Sequence, residues 1–179
     1  AAGSSPPVRS PPMPFRSDWS DELCPIRRSL DVLGDGWVLL IIRDVLHGRG
    51  RFDTLRDNLG ISEAVLSRRL RAMVEAGLLE RVDYTDGGRT RQGYAATEAA
   101  AELLPVLQQL AIWGERHTPT PPGGGHMALV HEACGQETTR GETCSHCGES
   151  LVAEQMSWDK PWHGRRDRLV AAGELRTAR

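Results

Sequence analysis

The sequence predicts a mainly α-helical fold with one small β-hairpin, followed by a small cysteine-bearing appendage. Three features of the 179 residues point there. Between Pro25 and Ala76, apolar residues recur at three- and four-residue intervals in successive short segments, as helices with one buried face require. Two strand candidates, LLERVDY and QGYAAT, flank the glycine turn TDGGRTR, which is the pattern of a hairpin. Finally, HEAC at 131–134 and CSHC at 144–147 each place two metal-ligating side chains on either side of a two-residue spacer.

Pro25 suits the first turn of a helix that puts Ile26, Leu30 and Leu33 on one face and stops at Gly34. Asp35 is the candidate cap of the next helix, where WVLLII continues at helical spacing through Val45 and Leu46. RFDTLRDNL, from Arg51, reads as a short helix ending at Gly60. Ser62 caps the following one, which turns Leu66, Leu70 and Met73 inward and Ala64, Ser67, Arg68 and Arg71 outward, and ends at Gly77. After the hairpin, Thr97 opens a long helix to about His117, which Pro105 should kink or divide.

Composition sets the boundaries. Residues 1–18 hold five prolines with Gly and Ser and read as a disordered arm. Residues 19–117 form the main domain, and TPTPPGGG at 118–125 reads as a linker. Residues 126–157 carry the paired ligands between the strand candidates MALVH and LVAEQ, and 158–179 are a tail compatible with a terminal helix. No apolar run approaches the ~20 residues of a membrane span, and no signal-peptide core is visible, so the expected location is cytoplasmic.

A formal net charge of −2 gives no global attraction to nucleic acid, so a basic surface has to be local. Two short helices joined by a tight turn, the second with a small-residue and arginine face, then a hairpin with Arg89 and Arg91 at its tip, make a winged helix-turn-helix. A helix fits the major groove of double-stranded DNA, where Arg68 and Arg71 reach guanine edges and Ser62 and Ser67 bond phosphates or bases. Ala64 lets the backbone approach, and the wing arginines meet phosphate or a narrow minor groove. Arg51 is a candidate phosphate clamp. Arg69, at the edge of the groove-facing arc, is a weaker candidate that could instead pair on the protein surface.

CPIRRSLDVLGDGWVLLIIRDVLHGRGRF, LRDNLGISEAVLSRRLRAMVEAGLLER and GYAATEAAAELLPVLQQLAIWGERH, taken together and in order, resemble the HxlR-type winged-helix regulators, relatives of the MarR group. The resemblance runs from about Cys24 to His117. It implies a bacterial transcriptional regulator that binds palindromic operators as a homodimer. In such dimers the first and last helices pack across the two-fold axis, which maps here onto the helix after Cys24 and onto Leu103, Leu107, Leu110 and Trp113. Two-fold symmetry would set the recognition helices ~34 Å apart. Cys24 matches the cysteine through which some members sense oxidants, and its place at a helix start would favour a thiolate; the alternative is a small inert residue at the interface. Control by a small molecule, or by no effector, is also open on the sequence.

His131, Cys134, Cys144 and Cys147 fit a structural zinc of the ribbon type, with His126 as the alternative fourth ligand and His146 inside the second loop. Four protein ligands would leave no open position for catalysis. No nucleophile framework or phosphate loop appears, so an enzyme is not expected. Two rivals remain at this stage: an adaptor that uses both modules for protein docking, and a thiol oxidoreductase using Cys144 and Cys147.

Overall fold

The computed structural model describes residues 19–139 and 142–176; the arm expected at 1–18 lies outside them. The chain divides into two compact units, Ala1–Asp35 and Gly36–Arg179. In the described part of the first, α1 (Pro25–Leu33) starts from extended backbone at Cys24 with Pro25 in its first turn, and ends where the Gly34 N–H bonds Leu30 O. None of its residues is buried, and Leu23, Ile26 and Leu30 are exposed.

The second unit is built around α2 (Gly36–Leu46), whose apolar run buries Val38, Ile41, Ile42, Val45 and Leu46. Against it lie α3 (Phe52–Leu59) and α4 (Glu63–Glu75). Gly60 joins them in the left-handed region at φ 63°, where a side chain would be strained. Strands β1 (Leu79–Asp86) and β2 (Arg89–Ala96) pair antiparallel from Leu79↔Ala96 to Asp86↔Arg89. Gly87 and Gly88, both at positive φ, make the two-residue turn that matches the strands' twist. Pro105 divides the following segment into α5 (Glu98–Ala101) and α6 (Leu104–His117). This is a winged helix-turn-helix, mainly α with a small hairpin wing.

The C-terminal part adds a four-stranded antiparallel sheet in the order β4-β3-β5-β6, from β3 (Ala128–His131), β4 (Gln136–Glu137), β5 (Met156–Lys160) and β6 (Arg165–Arg168). It differs from expectation in two places. LVAEQ forms no strand but leads into a 3₁₀ turn at Ala153–Gln155. The tail at 158–179 holds no α-helix among its described residues, because Trp158 to Lys160 extend β5 against β3 while a single 3₁₀ turn at Pro161–His163 and left-handed Gly164 lead the chain into β6. Pairing with distant β3 outweighs any helical preference of the tail.

Gly36–Arg179 is one compact unit across the 118–125 segment, and the contacts show how. Beyond β6, the Val170, Gly173 and Arg176 N–H groups donate to Leu46 O, Ala96 O and Gly48 O, lashing residues 169–176 along the end of α2 and the base of the wing. Gln108 on α6 donates to Thr138 O.

Candidate nucleic-acid interface and metal centre

On α4, Ser62, Ala64, Ser67, Arg68 and Arg71 all stand exposed on one side, while Leu66, Leu70 and Met73 are buried on the other. Arg69 departs from expectation: it is 8% exposed and belongs to the inner side. The helical period explains this, since Arg69 lies three residues after Leu66 and four before Met73, inside their stripe. The turn before α4 is braced by Arg56, which holds Glu63 at 2.8 Å, Asp57 at 2.8 Å and Asp53 at 3.3 Å. Asn58 adds a bond to buried Asp44 of α2.

The wing carries Arg89 and Arg91 on its exposed end, with Arg91 Nε 3.8 Å from Asp86. Arg51, read as a phosphate clamp, is turned onto the wing instead: its guanidinium lies 4.5 Å from the Tyr84 ring centre and 4.0 Å from Asp86. Next to it, the Tyr94 N–H donates to Gly50 O at 2.9 Å. The loop before α3 therefore fixes where the wing stands relative to α4.

On α6, Val106, Leu110 and Trp113 form an exposed stripe at helical spacing. Leu103 is half-buried. Leu107, expected at a dimer interface, is buried with Leu104 in the protein's own core, because it lies three residues further along the same inner face. Val106 was not singled out from the sequence, although its four-residue spacing from Leu110 carried the signal.

The donor atoms of His131, Cys134, Cys144 and Cys147 all lie within 4.8 Å of one another. His131 Nδ1 is 3.5 Å from Cys134 Sγ and 3.4 Å from Cys147 Sγ, and Cys134 Sγ is 3.7 Å from Cys144 Sγ. A tetrahedral zinc with Zn–S of about 2.3 Å and Zn–N of about 2.05 Å requires S···S of about 3.8 Å and N···S of about 3.5 Å, so the residues fit the ion. Each knuckle closes on a left-handed glycine, Gly135 bonding His131 O and Gly148 bonding Cys144 O. The amides of Cys147 and His146 hold the Cys144 thiol down to about 6, presenting it as thiolate.

His126 takes no part in this set. Its Nδ1 lies 2.7 Å from Glu115 of α6 and its Nε2 lies 2.6 Å from Glu137 of β4. The Glu115 carboxylate, then that of Glu137, raises the imidazole's pKa above its ordinary value. A raised folded-state pKa gives stability that is complete below the unfolded value near 6.5 and disappears as pH rises through the folded one. We therefore expect stability to fall by well under about 1 kcal/mol, given the exposure of the cluster, as pH climbs from 6 to 9, and His126→Gln to abolish that slope in pH-resolved denaturant melts.

A second cluster escaped sequence reasoning because its members lie far apart in the chain. His47 at the end of α2 is 2% exposed; its Nδ1 is 2.6 Å from Arg43 O, and its Nε2 accepts from the Lys160 ammonium at 2.9 Å. Burial, then the Lys160 charge, pushes His47 down to about 3. Burial also lowers Lys160 to about 8. Asp167 on β6 bonds Arg49 at 2.9 Å beside them. The only signal in the sequence was that Lys160 is its one lysine.

Residues 32–121 match the sequence profile of the HxlR-like helix-turn-helix family. The chain is 36% identical over 147 residues to the uncharacterized HTH-type transcriptional regulator Rv3095 of Mycobacterium tuberculosis, covering 82% of this chain and 91% of that one. It is 32% identical over 94 residues to the uncharacterized HTH-type transcriptional regulator YvaP of Bacillus subtilis, covering 51% and 86% of the two chains. Among solved structures it resembles PA1607, a proposed transcription factor, with a TM-score of 0.60 and 35% identity, covering 76% of this chain and 94% of that one. Among the described residues no helix is long and apolar enough to cross a membrane.

Proposed function

We propose, from the premise that this chain belongs to the HxlR-like helix-turn-helix family and is a transcriptional regulator of the helix-turn-helix type, that it reads a palindromic operator in double-stranded DNA as a cytoplasmic homodimer. One observation carries this reading: Ser62, Ala64, Ser67, Arg68 and Arg71 share the exposed side of α4, beside a wing bearing Arg89 and Arg91. That side enters the major groove; Arg68 and Arg71 meet guanine edges, the serines meet phosphates or bases, and the wing arginines meet the backbone. Arg51 contributes by holding the wing. Arg69 contributes from inside the helix packing.

The test is an operator selected from random duplexes and confirmed by footprinting. Reversing charge at Arg68 and Arg71 should lower affinity for it by about 100-fold or more and flatten the salt dependence. Unchanged affinity in the folded double variant would end this reading of α4.

The dimer is supported by the apolar stripe of Val106, Leu110 and Trp113 on α6, which a second copy would cover. Within its own unit, α1 likewise leaves Ile26 and Leu30 exposed, as is Leu23 just before it. In sedimentation we expect the parent to run as a dimer and a Leu110→Asp, Trp113→Asp variant as a monomer with weakened operator binding. Zinc at His131, Cys134, Cys144 and Cys147 would be structural, its four protein ligands leaving no open position. The tetrahedral spacing of three thiols and one imidazole supports a metal centre over a free dithiol at Cys144 and Cys147. Oxidant response would then belong to Cys24, the exposed thiol outside that set. Cys24→Ala should remove any effect of peroxide on operator affinity.

A further inference from the structure

Where the chain passes from α5 to α6, a half-open cleft of about 470 Å³ separates these helices from the loops of the appendage. That volume is in the range of small-molecule sites. Its apolar lining comes from Leu104 at the start of α6 and from Leu151 and Val152 across the gap. Carboxylates stand on both walls: Glu98 and Glu102 on the helical side, Glu142 and Glu154 on the other. Among the described residues none of the four carboxylates makes an ion pair or a side-chain hydrogen bond. Glu98 and Glu102 are four residues apart, a spacing at which like charges destabilise a helix. Four exposed glutamates thus rim an apolar depression, with the Arg168 guanidinium donating to Glu154 O at 3.1 Å, and an acidic rim of this kind favours a cation.

The two properties together select the occupant. A hard divalent ion needs several oxygens converging on one point, and these four carboxylates do not converge as the metal-site residues do. A small hydrated cation would gain nothing from the leucines and the valine. We propose that the cleft binds an amphiphilic organic cation, its hydrocarbon body against Leu104, Leu151 and Val152 and its charge among the glutamates.

Such an occupant would touch the segments that set the wing. Glu98 follows Thr97, the residue between β2 and α5, whose hydroxyl donates to Gly77 O. Ala171 and Ala172 also line the cleft, between the Val170 and Gly173 amides that bond Leu46 O and Ala96 O. The cleft is then the effector site of the regulator, an assignment that rests on the proposed function.

Tetraphenylphosphonium and its isosteric anion tetraphenylborate test the cleft by titration calorimetry on the full chain. We expect the phosphonium to bind once per chain with micromolar affinity, and the borate about 100-fold more weakly. A Glu102→Gln, Glu154→Gln variant that melts like the parent should lose about tenfold or more in phosphonium affinity. Its operator affinity without ligand should equal the parent's, and saturating phosphonium should shift the parent's operator affinity alone. Equal uptake of both ions, full competition by magnesium, no phosphonium binding, or undiminished binding to the variant would overturn the site. Phosphonium binding that leaves the parent's operator affinity unmoved would overturn its role as effector site. Failure of parent and variant alike to bind any operator would count against the regulator reading and leave the calorimetric result standing.

Discussion

Replacing Cys144 by Ser should empty the metal centre and dissolve the C-terminal sheet, lowering stability by more than about 4 kcal/mol. Cys144 is 1% exposed, and its sulfur faces that of Cys134. A hydroxyl there cannot supply the thiolate that a tetrahedral zinc site needs. The strands themselves are short, β4 having two residues and β3 and β6 four each, so the sheet leans on the metal as well as on buried Met156 and Trp158. Metal loss would also leave buried His131, whose Nε2 has no hydrogen-bond partner among the described residues, without the metal bond its Nδ1 would make. The damage should travel along the chain: β3 ends at His131 and pairs with β5, β5 pairs with β6, and β6 runs into the segment lashed to the wing base. Elemental analysis should fall from about one zinc per chain to near none. Amide exchange should rise first at Val130 and Met156 and then at Ala96. Retention of the parent's melting curve and exchange pattern would show that the sheet stands without metal. Chelation of the parent should reproduce the variant, which separates metal loss from the substitution itself.

What was legible in the sequence divides along sequence separation. The helix-turn-helix, the hairpin and the break at Pro105 depend on local signals: three- and four-residue spacing, glycines at positive φ, a missing N–H. The metal knuckles were legible for the same reason, since a two-residue spacer and a following glycine fix each pair. Only three-dimensional proximity could separate His131 from His126, and it places His126 between two carboxylates. Arg69 was within reach, as counting from Leu66 and Met73 puts it inside; its charge argued for the surface and packing prevailed. Leu107 was assigned to an interface because its stripe was apolar, yet Leu104 and Leu107 belong to the core and Val106, Leu110 and Trp113 to the exterior. The strand at 156–160 and the His47–Lys160 bond were beyond reach, because each depends on partners contributed from distant segments and nothing in either short stretch encodes them.

The close approach of the loop before α3 to the wing gives the second large effect. A Cβ at Gly50 would overlap the Tyr94 carbonyl oxygen outright and lie 2.8 Å from its carbon and 3.0 Å from Leu175. The first two are backbone atoms of β2, held by pairing to β1, so they cannot swing away as the end of a side chain can. Gly50→Ala must therefore push β2 outward and break the Tyr94 N–H bond to Gly50 O. The neighbouring Arg51, stacked on Tyr84 of β1, would lose its register with the wing. Overpacking against backbone, with a ladder-edge bond lost, should cost about 3 kcal/mol, or roughly 6–12 °C in Tm for a chain of this size. Because the wing itself moves, operator affinity should fall more than the loss of stability explains, at temperatures where the variant is still folded, while zinc content stays at the parent's level. Gly36→Ala is the matched control: nothing lies within 4 Å of the added carbon at the start of α2, and the change should stay within about 0.5 kcal/mol. If Gly50→Ala behaved like that control in both melting and DNA binding, the loop would not be what positions the wing, and the path from the metal sheet through residues 169–176 to the DNA-binding face would lose its last link.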